Sequence, residues 1–188
     1  GNTSPRGIAG SGLVDAVAEL FKAGIVDEKG RLLKAEEIKD PIGKQYKDKI
    51  TSINGITAFV IAEGSSGPVY INQKDIREFQ LAKGAIAAGI EVLLKEYGAE
   101  TKDIDEVFLA GAFGNYLRPE SACDVGLIPK ELKDRIKGIG NAAGAGAKLA
   151  LISQKEYERA VALSREIKYI ELSAHPDFNS IFLNKVGF

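Results

Sequence analysis

The stretch Glu106-Val107-Phe108-Leu109-Ala110-Gly111-Ala112-Phe113-Gly114-Asn115 constrains the fold more than any other part of the chain. A strand-length apolar run ends in two glycines three positions apart and then turns polar, the pattern of a buried parallel strand handing over to a helix. In open α/β sheets ligands gather at the carboxyl ends of strands, where residues with little or no Cβ let a purine or a phosphate reach the main chain. The stretch reads either as a nucleotide-facing turn or as an ordinary strand end with a tight turn, and other motifs must decide between them.

With 188 residues, 45% of them apolar, the chain can build one core. Its 25 basic and 26 acidic side chains are spread along the sequence, so no basic footprint points to nucleic acid or to an anionic membrane. Small-molecule or protein partners are expected instead. Cys123, the only cysteine, excludes an internal disulfide and any all-cysteine zinc or iron–sulfur site, and it suits a reducing compartment. No apolar run approaches membrane-spanning length and no charged-then-apolar leader opens the chain, so a cytoplasmic location is expected. Methionine is absent even at position 1, from which a processed product or a piece of a longer protein is expected.

Ala9-Gly10-Ser11-Gly12-Leu13-Val14-Asp15 opens a helix whose Leu13, Val17, Leu20 and Phe21 recur at helical spacing up to Gly24, with Ser11 as the expected N-cap. Small residues there leave the first N–H groups open to an anion, and a capped structural helix satisfies the same pattern. Residues 27–49 read as an irregular polar excursion with one short amphipathic piece. The segments 56–62 and 68–71, joined by Glu63-Gly64-Ser65-Ser66-Gly67, form an expected hairpin and give the fold an antiparallel part.

Asn72-Gln73-Lys74-Asp75 has the spacing of an N-cap with an acid at N3, and it heads the longest helix, expected to end at Tyr97 with Gly98 as its stop. Its stripe is Ile76, Phe79, Ile86, Ile90, Leu93 and Tyr97, with Lys83 in the remaining inward place. An inward lysine is paired, reaches a cavity, or lays its stem on the core while its head snorkels to water. Gln80, Ala82 and Gly84 around it favour a position facing a ligand. Further on, Pro119 suits the first turn of a helix, a short helix follows Pro129, and residues 136–141 form a short strand. An Ala/Gly-rich helix over 142–151 is expected to pack tightly against a neighbour. An amphipathic helix over 154–167, a last strand at 169–172 and a docking tail over 176–188 complete the chain. His175, the single histidine, has no partner that suggests a dyad, and Cys123 reads as a structural thiol, buried or half-buried.

In this order the pieces resemble the back half of the second lobe in the superfamily of sugar and acetate kinases, heat-shock chaperones and actin. Gly10-Ser11-Gly12-Leu13-Val14-Asp15 resembles the chaperones' glycine pair and acid at a helix start. Leu109-Ala110-Gly111-Ala112-Phe113-Gly114 is similar to the adenosine motif, with alanine in place of one of the usual paired glycines. Asn141 to Leu151 resembles the second connecting helix, at which the lobes hinge. More closely, Pro5-Arg6-Gly7-Ile8-Ala9-Gly10-Ser11-Gly12-Leu13, the stretch Asp75 to Lys83, Gly111-Ala112-Phe113-Gly114-Asn115-Tyr116, Gly140-Asn141-Ala142-Ala143-Gly144, and Tyr169 to Ser173 with Pro176-Asp177-Phe178-Asn179 resemble the carboxyl-terminal region of the reductive activators of corrinoid proteins. Ala9 stands where relatives often carry cysteine.

The resemblance implies an α/β, ribonuclease H-like and actin-like ATPase lobe over residues 1–188, with a mixed central sheet and helices on both faces. It also implies that the full-length protein uses ATP with Mg2+ to drive an electron from a [2Fe-2S] cluster onto the cobalt(II) corrinoid of a methyl-transfer protein. The cluster domain and the superfamily's aspartate-bearing phosphate loops have no counterpart in this sequence. Catalytic carboxylates and metal ligands are therefore expected elsewhere, and the chain alone is expected to hydrolyse ATP poorly. Carried over residue by residue, Gly10, Ser11 and Gly12 lie near phosphates, Gln80 and Lys83 near the ribose or adenine, and Gly111, Ala112, Phe113, Gly114 and Asn115 beneath the adenosine. The Gly and Ala faces admit a homodimer. Two other readings stay open: a non-catalytic interaction module, and part of a sugar or acid kinase of the same superfamily.

Overall fold

Apolar spacing at the start of the chain is realised as α1 (Gly10–Lys22), which buries Val14, Val17 and Leu20, in a computed structural model that describes residues 3–188. Its N-cap is Ala9, two residues ahead of the expected Ser11. The carbonyl of Ala9 already accepts the N–H of Leu13 at 2.8 Å, which closes the first turn before Ser11 can cap it. Gly24, at φ 61°, turns the chain away after Ala23.

The segment expected as an excursion contributes to the core. Asp27 accepts from the N–H groups of Lys29 and Arg31 to close a turn, Val26 bridges to Leu32, and Leu32 and Ile38 are buried among Val17, Ile25 and Val125. A single turn, α2 (Pro41–Lys44), is capped by Asp40, with Pro41 where its missing N–H does no harm.

Strands β1 (Ile50–Ile53), β2 (Ile56–Gly64) and β3 (Gly67–Asn72) form an antiparallel meander. The expected hairpin is β2–β3. β1 was not anticipated, although Asn54-Gly55 between it and β2, at φ 52° and 77°, is the turn dipeptide whose twist matches a hairpin.

Helix α3 (Gln73–Tyr97) has the anticipated ends. The Asn72 side chain accepts from the N–H groups of Lys74 and Asp75, the Asp75 carboxylate accepts from Asn72 N–H, and Gly98 closes the helix at φ 72°. The expected stripe holds only in part. Ile76, Phe79 and Lys83 are buried, whereas Ile86, Leu93 and Tyr97 are exposed, Tyr97 to 88%. Beyond Lys83 the buried face is carried by Gly84, Ala87, Ala88 and Val92, small enough to let another helix approach the backbone.

The second ladder is parallel. β4 (Val107–Ala110) leads through α4 (Gly111–Tyr116) and α5 (Pro119–Asp124) to β5 (Ile136–Gly140), which pairs Val107 with Ile136 and Leu109 with Gly138. Strand directions are thus mixed, distributed over two ladders, with α5 packed on α1.

Two expectations for the last third are corrected. Helix α6 (Ala142–Ile152) touches α7 (Gln154–Glu166) but buries none of its residues; Leu151 is 86% exposed, and a Cβ at Gly146 would meet nothing within 4 Å. Small residues permit close packing only where a partner surface is presented, and α7 covers little of this one. Residues 169–172 form no strand. Among the described residues no strand edge pairs with them, and Glu171 satisfies the segment locally by accepting from the Tyr169 hydroxyl at 2.6 Å and from Ser173 N–H at 3.3 Å.

The tail does dock. Ile181, with Phe178 and Phe182, packs on Ala88 and Val92 through α8 (Phe178–Lys185), flanked by Lys185–Glu91 at 3.0 Å. The Phe188 ring then lies 5.2 Å from Phe21 and 6.2 Å from Phe79, centroid to centroid. No described helix is long and apolar enough to cross a membrane.

Candidate functional site

β4 delivers the chain to Gly111, whose φ of 82° favours a residue without Cβ; nothing stands within 4 Å of where a Cβ would be. Gly114 serves packing instead. A Cβ there would lie 3.1 Å from the carbonyl carbon of Leu109, so this glycine lets α4 fold back onto β4. Ala112, Phe113 and Asn115 are exposed on the outer side of the turn. Phe113 reaches α1, where a Cβ on Gly10 would come within 3.2 Å of its ring.

Gly10, Lys83 and Phe113 line one cavity of about 370 Å3 between the amino end of α1, the inner face of α3 and the turn after β4. A neighbouring cavity of about 390 Å3, walled by Arg6, Gly7 and the β2–β3 turn, shares Gly10, Leu13 and Asp75 with it. The amino end of α1 therefore stands between two hollows. Ala9 offers no side-chain acceptor and the first turn carries no acid, so the dipole of this helix end is not neutralised locally. Ser11, Gly12, Gly111, Ala112, Gly114 and Asn115 line neither of these cavities. The sequence reading passed over Asp75 and Glu78, two carboxylates on α3 that line the first. The N3 position of Asp75 was legible; that its helix face also borders α1 was not.

Lys83 is 3% exposed. Its ammonium donates to the carbonyl of Gly187 and lies 5.3 Å from the centroid of the Phe188 ring, so the lysine is paired and does not snorkel. Burial pulls its pKa from 10.5 down to about 8, helped by the like charge of Lys185. Gln80 points elsewhere. Its side-chain amide donates to the Lys29 carbonyl at 3.2 Å and accepts from Arg77 at 3.3 Å, which ties α3 to the turn after α1.

Cys123 is buried, and its thiol pKa is pushed up by burial and then by Asp124, the opposite of an activated thiolate. It has no companions: among the described residues no three His, Cys, Asp or Glu side chains converge as a metal site. An iron–sulfur cluster does not fit the donors present. His175 accepts from Asp177 N–H through Nδ1 and sets Nε2 3.1 Å from Glu96, which places it as a brace between α3 and the approach to α8.

The architecture has a counterpart among solved structures. A reductive activator for corrinoid, iron-sulfur protein superposes with a TM-score of 0.84 and 32% identity over 99% of this chain and 29% of that one. The fold and the hollow at the head of α1 thus define an ASKHA-type α/β domain. Across residues 1–188 the chain matches the family described as the C-terminal domain of RACo, the ASKHA domain, and it belongs to that family. It is 36% identical over its full length to the corrinoid activation enzyme RamQ of Eubacterium limosum. Over 97% of its length it is 24% identical to the [Co(II) methylated amine-specific corrinoid protein] reductase of Methanosarcina barkeri. The chain spans about a third of the length of these relatives, 32% and 29% respectively.

Proposed function

We propose that this chain is the nucleotide-binding part of a reductive activator, in which ATP hydrolysis drives an electron from a [2Fe-2S] domain onto the cobalt(II) corrinoid of a methyl-transfer protein. The reading is carried by one observation: a hollow in which the unneutralised amino end of α1, the inward Lys83 and Phe113 of the turn after β4 face one another. Anionic phosphates suit the first, and a flat nucleoside suits the last. Gly10, Ser11 and Gly12 would lie towards the phosphates, and Gly111 to Asn115 towards the nucleoside. The relatives named as activators or reductases of corrinoid proteins support the partner. Among the described residues no three His, Cys, Asp or Glu side chains converge to hold a cluster or a metal ion, so the electron path is assigned to another part of such a protein.

A second reading, a non-catalytic interaction module, is favoured by the exposed apolar residues Leu149, Leu151 and Ile152 of α6. Titration of a non-hydrolysable ATP analogue, followed through the amide resonances of Gly111 to Gly114 and of Gly10, separates the two. Saturable shifts at both places are expected, and their absence would leave the interaction module standing.

A further inference from the structure

Basic side chains that are scattered in the sequence converge on one groove away from the nucleotide hollow. It has a volume of about 720 Å3 and runs between the turn after α1, the start of β2 and the first turns of α3. Lys29, Arg31, Lys34, Lys74 and Arg77 line it, against Glu37 as its one carboxylate. Glu37 is already taken: it accepts from Arg31 at 2.7 Å, and Asp27 holds the same guanidinium from behind at 3.4 Å. Among the described residues Lys29, Lys34, Lys74 and Arg77 form no ion pair. In a chain whose formal net charge is only -1, gathering unpaired like charges raises the free energy of the fold unless an opposite charge is brought to them.

The wall that carries these charges is fixed in advance. Gln73 donates to the Gly30 carbonyl at 2.8 Å and accepts from Leu32 N–H at 2.7 Å, while the buried Gln80 holds the Lys29 carbonyl. Gly30, at φ 79°, has the Gln80 amide where a Cβ would stand, so the turn has one shape. A preformed wall lowers the ordering cost of binding. No aromatic side chain lines the groove, which removes the stacking platform that single-stranded nucleic acid uses, and the half-buried Ile56 supplies apolar surface for the methylenes of glutamate.

We infer that this groove docks an acidic, glutamate-rich polypeptide segment of a partner protein. Lys29, Lys34, Lys74 and Arg77 pair with its carboxylates, and the Arg31–Glu37 pair sets the rim. The inference goes beyond the nucleotide reading and does not use the hollow at α1.

The test is fluorescence anisotropy of a fluorescein-labelled glutamate-rich peptide with the 188-residue chain, in low and in raised salt. The double reversal Lys29→Glu/Lys74→Glu is expected to weaken binding about tenfold or more, and salt to weaken it for the wild type. Lys155→Glu on α7 is expected to change nothing. The neutral pair Lys29→Gln/Lys74→Gln, expected to give a smaller loss, carries the test where a thermal melt shows that the reversal does not fold. ATP-analogue binding, read on the same samples, is expected to be equal in all of them; its failure in the wild type would sink the nucleotide reading alone. Peptide binding that is absent, or equal in wild type and both groove variants, overturns the inference. Tighter binding of polyuridylate, undisplaced by the peptide, overturns it in favour of RNA.

Discussion

The Lys83 ammonium stands 5.3 Å from the centroid of the Phe188 ring, with the neighbouring Gly187 carbonyl as its acceptor. A side chain in the middle of α3 is thereby fastened to the end of the tail, 104 residues away. The same ring rests on Phe21 of α1 and on Phe79 of α3, so the fastening joins α1, α3 and the tail.

That arrangement fixes a pH dependence. The unfolded chain keeps the lysine proton up to its ordinary value of 10.5, whereas burial makes the folded chain release it near 8. Between these values the unfolded state binds more protons, so the contribution of Lys83 to stability rises with pH across this window and is flat below it. Denaturant midpoints measured through the window are expected to lose this rising component in Lys83→Met, which keeps the stem and removes the titration. An unchanged slope would mean that the ammonium is hydrated.

Gly111→Ala and Gly114→Ala are both expected to lower stability by about 1–3 kcal/mol, for different reasons. At Gly111 the cost is backbone strain at φ 82° with open space around it; at Gly114 it is a Cβ pressed to 3.1 Å from the Leu109 main chain. Chemical denaturation reads both losses. A Gly111→Asn variant, whose side chain tolerates that backbone region, is expected to recover part of the first.

Asn72→Ala removes the acceptor for two N–H groups at the head of α3 and is expected to cost about 1 kcal/mol in a urea titration followed by circular dichroism. Asp75→Asn should cost less, because its amide oxygen can still accept from Asn72 N–H.

What could be read from the sequence was local. The caps of α3, Pro119 at the head of α5 and the β2–β3 hairpin are decided by residues within a few positions of one another, and all are found where expected. The Asn54-Gly55 turn was equally local and went unread. The stripe of α3 was misjudged beyond Lys83 because its partner, α8, lies some 90 residues on and selects small residues, so Ala88 and Val92 are buried while Leu93 is not. The partners of Gln80 and Lys83 come from Lys29 and Gly187, and no spacing rule connects them. The basic groove was hidden for the same reason: two separated segments are even in charge until the fold lays them side by side.

Leu151→Ser on α6 is expected to change stability by less than about 0.5 kcal/mol, because the side chain leaves one exposed surface for another. Val92→Ala, on α3 and fully buried against α8, is expected to cost about 1–3 kcal/mol. Parallel thermal melts of the two distinguish an uncovered α6 from one packed as the sequence suggested.

Hydrolysis by the chain alone is expected to be slow even where an ATP analogue binds. Phosphoryl transfer to water needs a positioned nucleophile and a carboxylate-held magnesium ion at the phosphates. Of the two carboxylates at the hollow, Asp75 is committed to Asn72 N–H at 2.9 Å and Glu78 stands exposed, and among the described residues no three His, Cys, Asp or Glu side chains converge as a metal site. A phosphate-release assay is therefore expected to give the same low rate for the wild type and for Glu78→Gln. A high rate that is lost in Glu78→Gln would place the catalytic carboxylate within these 188 residues after all.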